Sequence, residues 1–351
     1  MTEPQRLGIV VFNLGGPDCP AAVEPFLRNL FSDKAIIRLP AGFRHALARL
    51  IAARRAPIAR EIYAKIGGRS PILEQTEAQA RALAEALQDE AHEVRVVIAM
   101  RYWHPRAAAA AQEIAAFQPD QLVLLPLYPQ FSTTTTASSF AEFGMALKRA
   151  GYWGPVRRIC CYPADVGFAA ANAALIRSAL DEVQKSGRPR LLFSAHGLPE
   201  RIVQAGDPYP WQVAQSANAI LRALGAPEPE WIICYQSRVG PLKWIGPSTE
   251  EALAAAAKDG RVPVVVPIAF VSEHSETLVE LDIEYRELAL RLGAGAYVRV
   301  PAVGVAPAFI GGLANLVKGA LCTAGKPEEM CNPRLCPISE RGCPNRRAPA
   351  H

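Results

Sequence analysis

The chain has 351 residues, of which half are hydrophobic and a fifth are charged, and its formal net charge is +5. This composition excludes an intrinsically disordered chain, and the length allows a substantial core divided between two lobes. No apolar run reaches the roughly 18 residues that span a bilayer, and the N-terminal sequence MTEPQRLGIVVFNLGG lacks the features of a signal peptide. We therefore expect a cytoplasmic protein, either soluble or peripheral on the inner membrane.

Apolar runs alternate with alanine-rich helical segments, among them 74–90, 106–117 and 248–258. Near-continuous valine, isoleucine and leucine is typical of parallel strands that are buried on both faces. The pattern predicts an α/β protein with parallel sheets. The runs are LGIVVFNL (7–14), VRVVIAM (94–100), QLVLLPLY (121–128), VRRICCY (156–162), RLLFSAH (190–196), WIICYQS (231–237), VPVVVPIAF (262–270) and YVRV (297–300).

The two halves of the chain resemble each other in order. VVFNLGGP (10–17) is similar to LLFSAHGLP (191–199), VVIAMRYWHP (96–105) to WIICYQSRVGP (231–241), and LLPLYPQFSTTT (124–135) to VVPIAFVSEHSET (265–277). We predict two similar, Rossmann-like, doubly wound lobes whose strand ends face a shared cleft. The expected domains are 1–150, 151–321 and a Cys- and Pro-rich tail, 322–351, with a terminal helix near 305–321 as a candidate to pack back on the first lobe.

A basic amphipathic stretch covers residues 34–60, which contain no acidic residue. Such a stretch fits an anionic membrane surface, an acidic small molecule or an ordinary solvated helix face, and the sequence does not separate these interpretations. The basic residues are Lys34, Arg38, Arg44, Arg49, Arg54, Arg55 and Arg60.

Two histidines lie where buried strands are expected to end, and this is where open parallel sheets place their sites. His196 follows an apolar strand and precedes a glycine, so a ligand can approach it closely. An imidazole there can accept a proton near neutral pH or bind a metal ion, although a structural role is the alternative.

The second histidine, His274, begins an acidic helical pattern in which Glu276, Glu280 and Glu284 recur every four residues and Glu273 falls on the same face. Like charges at this spacing weaken a helix by a few tenths of a kcal/mol per pair, so bulk water, a metal ion, protons or a basic partner is expected to offset them, and a solvated helix face is the alternative without a ligand. Mixed nitrogen and oxygen ligands suit a borderline ion such as ferrous iron, and a carboxylate row can equally relay protons.

Aromatic residues and arginine also gather at the predicted strand ends. Flat rings would suit a large planar ligand, and arginines and hydroxyls would suit carboxylates at its edge. The residues concerned are Arg101, Tyr102, Trp103, Tyr128, Gln236, Ser237, Arg238, Trp244 and Phe270.

Specific motifs over nearly the whole chain resemble those of the ferrochelatases, enzymes that insert ferrous iron into a porphyrin. They are FNLGGP (12–17), RRAPIAREIYAKIGGRSPI (54–72), RYWHP (101–105), LYPQFSTTT (127–135), SAHGLP (194–199), GDPYPWQV (206–213), QSRVGPLKWIGP (236–247) and FVSEHSETLVELDIEY (270–285).

The resemblance implies a lyase that makes protohaem in the last step of haem biosynthesis. It implies that His196 accepts the pyrrole protons, with Glu276 as its partner across the cleft. The implied metal or proton path adds Glu280, Glu284, His274 and Glu273. The implied substrate contacts are Arg101, Tyr102, Leu14, Trp244 and Phe270, with Gln236, Ser237 and Arg55 holding the propionates.

The loop Asn13–Gly16 is similar to members that use protoporphyrin IX and lacks the tyrosine typical of the coproporphyrin III type. Another tetrapyrrole, such as sirohydrochlorin, is an alternative substrate, and a two-lobed binding protein for iron or a tetrapyrrole is an alternative of a different class. A nucleic-acid partner is not expected, because the basic tail has few interleaved aromatic residues.

Three tail cysteines, Cys331, Cys336 and Cys343, are predicted to bind a [2Fe-2S] cluster by resemblance to several bacterial members. Thr133 occupies the position of an animal cluster cysteine, so the fourth thiolate is expected from Cys160 or Cys161, with Cys322 as a spare candidate. Four thiolates also suit zinc, and free structural thiols are the remaining alternative.

Overall fold

The computed structural model describes residues 5–88, 92–183, 185–226, 229–238, 242–322 and 334–345. These residues form two compact units. The first takes those within Met1–Cys161, Leu313–Arg334 and Pro344–His351, and the second those within Tyr162–Gly312 and Leu335–Cys343.

The first unit is built on a parallel sheet with the strand order β2-β1-β3-β4. Its central strand β1 pairs along its whole length with β2, from Gln5 opposite His92 to Asn13 opposite Met100. Because β1 lies between two strands and helices cover the sheet, its residues from Leu7 to Asn13 are buried. The strands are β1 Gln5–Asn13, β2 His92–Met100, β3 Gln121–Pro126 and β4 Val156–Arg158.

The helices of the first unit alternate with these strands, which is the arrangement that parallel sheets require. A buried cluster forms where Phe12 of β1 and Ile114 of α4 meet Phe143 of α5. A short 3₁₀ helix, Pro20–Ala22, precedes α1. The helices are α1 Val23–Phe31, α2 Ala41–Ala64, α3 Ile72–Leu87, α4 Ala107–Phe117 and α5 Thr136–Arg149.

The second unit repeats the first, with a parallel sheet in the order β6-β5-β7-β8. The strand order confirms the predicted duplication, since β5, β6, β7 and β8 take the places of β1, β2, β3 and β4. β4 pairs with β3, so the first unit continues past residue 150 to Cys161. The strands are β5 Arg188–His196, β6 Glu230–Gln236, β7 Arg261–Pro267 and β8 Val298–Arg299.

The helices of the second unit cover its sheet, and they include one π-helix. α9 begins with a capping box in which Ser248 accepts a hydrogen bond from the Glu251 amide, and the Glu251 side chain accepts one from Ser248. Glu276–Glu284 forms a π-helix, a rare element that is frequent at functional sites. The α-helices are α6 Val166–Val183, α7 Glu200–Gln204, α8 Tyr209–Leu224, α9 Thr249–Lys258, α10 Tyr285–Arg291 and α11 Pro307–Cys322, whose last turns belong to the first unit.

Each of the eight predicted apolar runs overlaps a strand, and the predicted helices at 74–90, 106–117 and 248–258 overlap α3, α4 and α9, with residues 89–90 outside the described part of the chain. The strand in the run 156–162 is shorter than predicted, since only Val156–Arg158 pairs in the sheet. Its remaining residues include Cys160 and Cys161, which are buried beside Phe131. No helix within the described ranges combines the length and apolarity needed to cross a membrane.

Candidate active site

The candidate site of the second unit lies at the carboxyl ends of its strands. β5 ends at His196 and β6 ends at Gln236, which are register partners in the parallel ladder. β7 ends at Pro267, and the following loop leads to the π-helix. Because the carboxyl ends of parallel strands share one edge of the sheet, residues far apart in the chain meet here.

His196 has a defined tautomer. Its Nδ1 lies 2.7 Å from the carbonyl oxygen of Gly197, and a carbonyl can only accept, so Nδ1 carries the hydrogen. Nε2 is therefore the ring nitrogen that is available to accept a proton or to bind a cation. The side chain is 41% exposed, which leaves this nitrogen accessible as a base.

Gly197 allows the strand end to pack closely. A Cβ atom at this position would lie 2.9 Å from the carbonyl oxygen of Gln236 and 3.2 Å from the Trp244 ring. Only glycine fits between these groups. The glycine beside His196 thus has a packing role, and its role in the approach of a ligand stays a prediction.

Glu276 lies between two histidines. Its Oε2 is 3.7 Å from Nε2 of His196 and 3.9 Å from Nε2 of His274. Both separations are too long for hydrogen bonds, and this buried oxygen accepts none from the described residues. A buried carboxylate oxygen without a hydrogen-bond donor destabilises the folded protein unless a proton or a cation binds to it.

His274 is more deeply buried than His196. Its ring packs on Phe270 with a centroid separation of 4.7 Å, and its backbone amide donates to the Thr277 hydroxyl at 3.0 Å. Burial lowers the pKa of His274, and the carboxylates of Glu276 and Glu273 oppose this only in part. His274 therefore presents a neutral ring at neutral pH.

Glu280 is held by four donors. Its Oε1 accepts from the Ser237 amide at 2.8 Å and the Tyr285 hydroxyl at 3.0 Å, and its Oε2 accepts from Ser237 Oγ at 2.5 Å and Gln236 Nε2 at 3.1 Å. Burial, followed by the like charge of Glu276, raises the pKa of Glu280 against the effect of the Ser237 hydrogen bonds.

The other two predicted acids lie differently. Glu284, at the end of the π-helix, is exposed. Glu273 precedes the helix, and its Oε1 binds Arg299 at 2.8 Å and the Ala302 amide at 3.0 Å. Arg299 is also paired with Asp282 at 3.2 Å, so Glu273 takes part in an ionic cluster that joins the π-helix to β8.

Arg101 and Tyr102, at the end of β2, belong to a buried ionic network in the first unit. Arg101 donates to Ser138 at 2.9 Å, to Glu142 at 2.7 Å and to Asp33 at 2.7 Å. Tyr102, which is 2% exposed, also donates to Asp33 at 2.8 Å. Asp33 and Glu142 were not among the predicted site residues, because nothing in their local sequence shows that they surround Arg101.

The predicted substrate contacts occupy varied places. Leu14 packs against the cluster formed by α1 and α2, and Arg55 is exposed on α2 with its guanidinium 6.0 Å from the Phe31 ring. Trp244 is partly buried beside Gly197, and Phe270 packs on His274. Their contacts with a substrate stay predictions.

The described cysteines of the predicted cluster are buried. Cys336 and Cys343 are 2% and 6% exposed, and Gln212 Nε2 lies 3.1 Å from the Cys336 sulfur. The sulfurs of Cys160 and Cys161 lie 3.1 Å apart, and Cys331 is outside the described residues. Across the parts of the chain that are described, no group of three or more His, Cys, Asp or Glu side chains is gathered as a metal site.

Comparison with solved structures supports the fold. SirB from Bacillus subtilis with Fe3+ gives a TM-score of 0.53 at 11% identity, covering 91% of this chain and 96% of that one. The sirohydrochlorin chelatase SirB from Bacillus subtilis subspecies spizizenii, in complex with cobalt, gives 0.51 at 10% identity, covering 90% and 95%. At these identities the likeness establishes a chelatase-like fold of two α/β lobes and no more.

Sequence comparison finds relatives that are far more similar to this chain. A family model described as Ferrochelatase matches residues 6–321. The ferrochelatase of Phenylobacterium zucineum strain HLK1 is 53% identical over 341 residues, covering 96% of this chain and 97% of that protein. The ferrochelatase of Caulobacter vibrioides strain NA1000 / CB15N is 51% identical over 345 residues, covering 97% and 98%. On these grounds the chain belongs to the ferrochelatase family, and it is a metal chelatase that inserts iron into a porphyrin in haem synthesis.

Proposed function

We propose that His196 removes the pyrrole protons and that Glu276 is its carboxylate partner. The observation that carries this assignment is the buried Glu276 Oε2, which accepts no hydrogen bond from the described residues and lies 3.7 Å from Nε2 of His196. That arrangement suits a site where a proton or a cation arrives during the reaction.

Metal insertion breaks two N–H bonds of the porphyrin, and their electron pairs remain on nitrogen and form the bonds to iron. His196 Nε2 accepts a proton and becomes an imidazolium, which the nearby Glu276 carboxylate stabilises. After His196 passes this proton to the acidic row of Glu276, Glu280 and Glu284, it can accept the second one. Iron stays ferrous throughout, and carboxylate oxygens are suitable replacements for the water that it loses.

We infer that the substrate is protoporphyrin IX. The loop after β1 places the apolar side chain of Leu14 among hydrophobic neighbours, and no tyrosine occurs in the segment Asn13–Gly16. An apolar loop favours a porphyrin edge with vinyl groups over one with additional propionates, because a carboxylate loses hydration on burial.

Anaerobic assays with ferrous iron should show a higher kcat/KM for protoporphyrin IX than for coproporphyrin III. Absorption spectra of the two products measure both rates. Leu14→Tyr introduces the tyrosine that this loop lacks and should reduce the difference in kcat/KM between the two porphyrins. Leu39→Tyr, at an exposed apolar position, is the control. Equal or reversed preference in the unmodified enzyme would contradict the substrate assignment.

We further propose a [2Fe-2S] cluster with Cys336 and Cys343 among its ligands. Both thiols are buried, and an amide donor points at the Cys336 sulfur, which is the environment that stabilises and tunes a ligating thiolate. Cys331 and one of Cys160 and Cys161 remain the predicted sources of the other thiolates. The cluster would supply a redox-active centre, and no step of the insertion reaction is assigned to it.

We also propose that α2 contacts an anionic lipid surface. One face of the helix, with Ala48, Ala52 and Ala56, is buried against the unit. Phe43 and Ile58, 74% and 62% exposed, occupy the opposite face. Three arginines of the same helix, Arg49, Arg54 and Arg55, are also exposed, and such basic side chains are attracted to an anionic lipid surface.

Vesicle sedimentation tests the lipid proposal. We expect the enzyme to bind vesicles of phosphatidylcholine with phosphatidylglycerol more strongly than vesicles of phosphatidylcholine alone. Phe43→Ser with Ile58→Ser should weaken binding at least about tenfold, because burial of each side chain contributes about 1.5–3 kcal/mol. Val166→Ser, at an exposed apolar position of the second unit, is the matched control. Equal binding by the double variant and the control would refute a role for α2.

A further inference from the structure

The tail segment Leu335–Cys343 packs on the turn between α7 and α8, and both belong to the second unit. The Gly342 amide donates a hydrogen bond to the carbonyl oxygen of Gly206 at 2.7 Å. A Cβ atom at Gly342 would lie only 2.5 Å from this oxygen, and Gly206 has a φ of +98°, in the left-handed region that favours glycine. Two glycines therefore allow the backbones of the tail segment and the turn to come into direct contact.

Side chains add to this contact. Gln212, near the start of α8, is buried, and its Nε2 lies 3.1 Å from the Cys336 sulfur. Burial raises the pKa of the Glu340 carboxyl, and the negative charge of Asp207 adds to this effect, which indicates that the two carboxyl groups are close. Since the Asp207 carboxylate also accepts a hydrogen bond from the Tyr209 amide at 3.1 Å, the tail segment holds the part of the turn that carries Tyr209.

Tyr209 extends from this turn to the candidate base. It is buried, and its hydroxyl is hydrogen-bonded to the backbone of His196. This bond stabilises the phenolate form, as a donated hydrogen bond does, so the donor is the His196 amide. Burial nevertheless raises the pKa of Tyr209 well above its usual value, and the nearby Tyr235 and Glu276 add to this. Tyr209 therefore stays a neutral phenol and does not compete with His196 as a base.

The direction of the His196 ring depends on the backbone at this strand end. Nδ1 of the ring is bonded to the carbonyl oxygen of Gly197 at 2.7 Å, and the Gly197 amide donates to the carbonyl oxygen of Gln236 at 2.8 Å. Tyr209 holds the amide one residue earlier. Because the ring is tied to its own backbone, a displacement of Tyr209 changes the direction of Nε2 toward Glu276, and small misplacements of a reacting group reduce the rate strongly.

We propose that Tyr209 is a positioning residue for His196, and that the tail segment holds the turn from which Tyr209 reaches it. The tail segment would then influence the rate of proton removal through the geometry of the base. This inference rests on the role proposed above for His196. It uses contacts within the chain and assigns no step to a cluster.

Tyr209→Phe keeps the ring and removes the hydroxyl. We expect kcat to fall about two- to tenfold, the effect of one lost hydrogen bond, while KM for protoporphyrin IX stays within about twofold. The nitrogen NMR signals of the His196 ring, assigned by their absence from His196→Ala, should also shift, which a loss of stability alone does not cause. Tyr152→Phe is the matched control, because the Tyr152 hydroxyl also bonds the backbone, at the Pro119 carbonyl over 3.1 Å, but in the first unit.

Gly342→Ala tests the tail segment. The added methyl group must displace the tail segment from Gly206, so kcat should fall by a factor similar to that of Tyr209→Phe. Gly319→Ala, at an exposed glycine of α11 with open space around it, is the control and should leave kcat unchanged. Gln212→Leu removes the contact with Cys336 and takes the place of Gly342→Ala if that variant does not fold.

A double-mutant cycle completes the test. If the tail segment acts through Tyr209, Gly342→Ala should add little to the loss caused by Tyr209→Phe. Full additivity in the cycle would overturn the proposal, as would an unchanged kcat with unshifted His196 signals in Tyr209→Phe. Near-normal turnover of His196→Ala, assayed in parallel, would instead refute the proposed base, and so the two failures are distinguishable.

Discussion

His196→Ala should abolish iron insertion and leave porphyrin binding in place. The variant loses the ring nitrogen that the geometry assigns to proton removal, and positioned bases typically contribute 10²–10⁴-fold, so we expect a loss of about that size in kcat. Little porphyrin affinity should be lost, because a macrocycle makes most of its contacts through its large faces and its edge. Anaerobic turnover and the quenching of porphyrin fluorescence measure the two properties separately.

The control for this variant is His45→Ala, which removes an exposed imidazole from α2. His274→Ala is a more stringent comparison, since His274 also approaches Glu276 but is buried with a lowered pKa. We expect it to retain more turnover than His196→Ala, because its ring is less accessible to substrate. Near-normal turnover of His196→Ala, or loss of porphyrin binding together with turnover, would contradict the assigned role.

Cys336→Ser should remove the visible absorption of the proposed [2Fe-2S] cluster from the freshly purified enzyme. A serine hydroxyl is a poor substitute for a thiolate ligand, and a cluster that lacks a ligand is not retained. Because ligand binding is coupled to folding, we also expect the variant to unfold at a lower temperature. Optical spectra, together with analysis of iron and sulfide, measure cluster content.

Cys19→Ser is the matched control, since Cys19 is exposed and lies outside the predicted ligand set. Cys322→Ser tests the spare candidate in the same way. An unchanged spectrum for Cys336→Ser would exclude this cysteine as an essential ligand. Zinc without sulfide in the original enzyme would replace the cluster proposal with a structural zinc site.

Much of the fold was predictable because buried parallel strands have a distinctive composition. Eight apolar runs overlap the eight strands of the described residues, and three matched strand ends indicated the duplication that the two strand orders confirm. Resemblance predicted Glu276 as the partner of His196 across a cleft, and the structure places both residues in the second unit, with Nε2 of His196 3.7 Å from Oε2 of Glu276. The register of β5 and β6 then brought His196 beside Gln236.

The roles of other polar residues were not predictable, because a side chain's partners depend on residues that are distant in the chain. The contact of Gln236 and Ser237 with propionates stays a prediction, and their hydrogen bonds to Glu280, more than forty positions away, were not foreseen. Asp33 gave no local signal, although it accepts hydrogen bonds from Arg101 and Tyr102. Glu276, Glu280 and Glu284 recur every four residues and Glu273 was expected on the same face, but Glu273 is paired with Arg299.

Periodicity and composition, which are local properties of the chain, were enough to determine the strands, the parallel sheets and the positions of the two histidines. The donors that Gln236 and Ser237 direct at Glu280 were decided by the tertiary structure, and the tautomer of His196 follows from a contact with the next residue, Gly197, that only the three-dimensional structure shows. Hydrogen bonds form over about 3 Å and depend on angle. Small differences in packing therefore determine which groups they join, and the residue pattern does not show these differences.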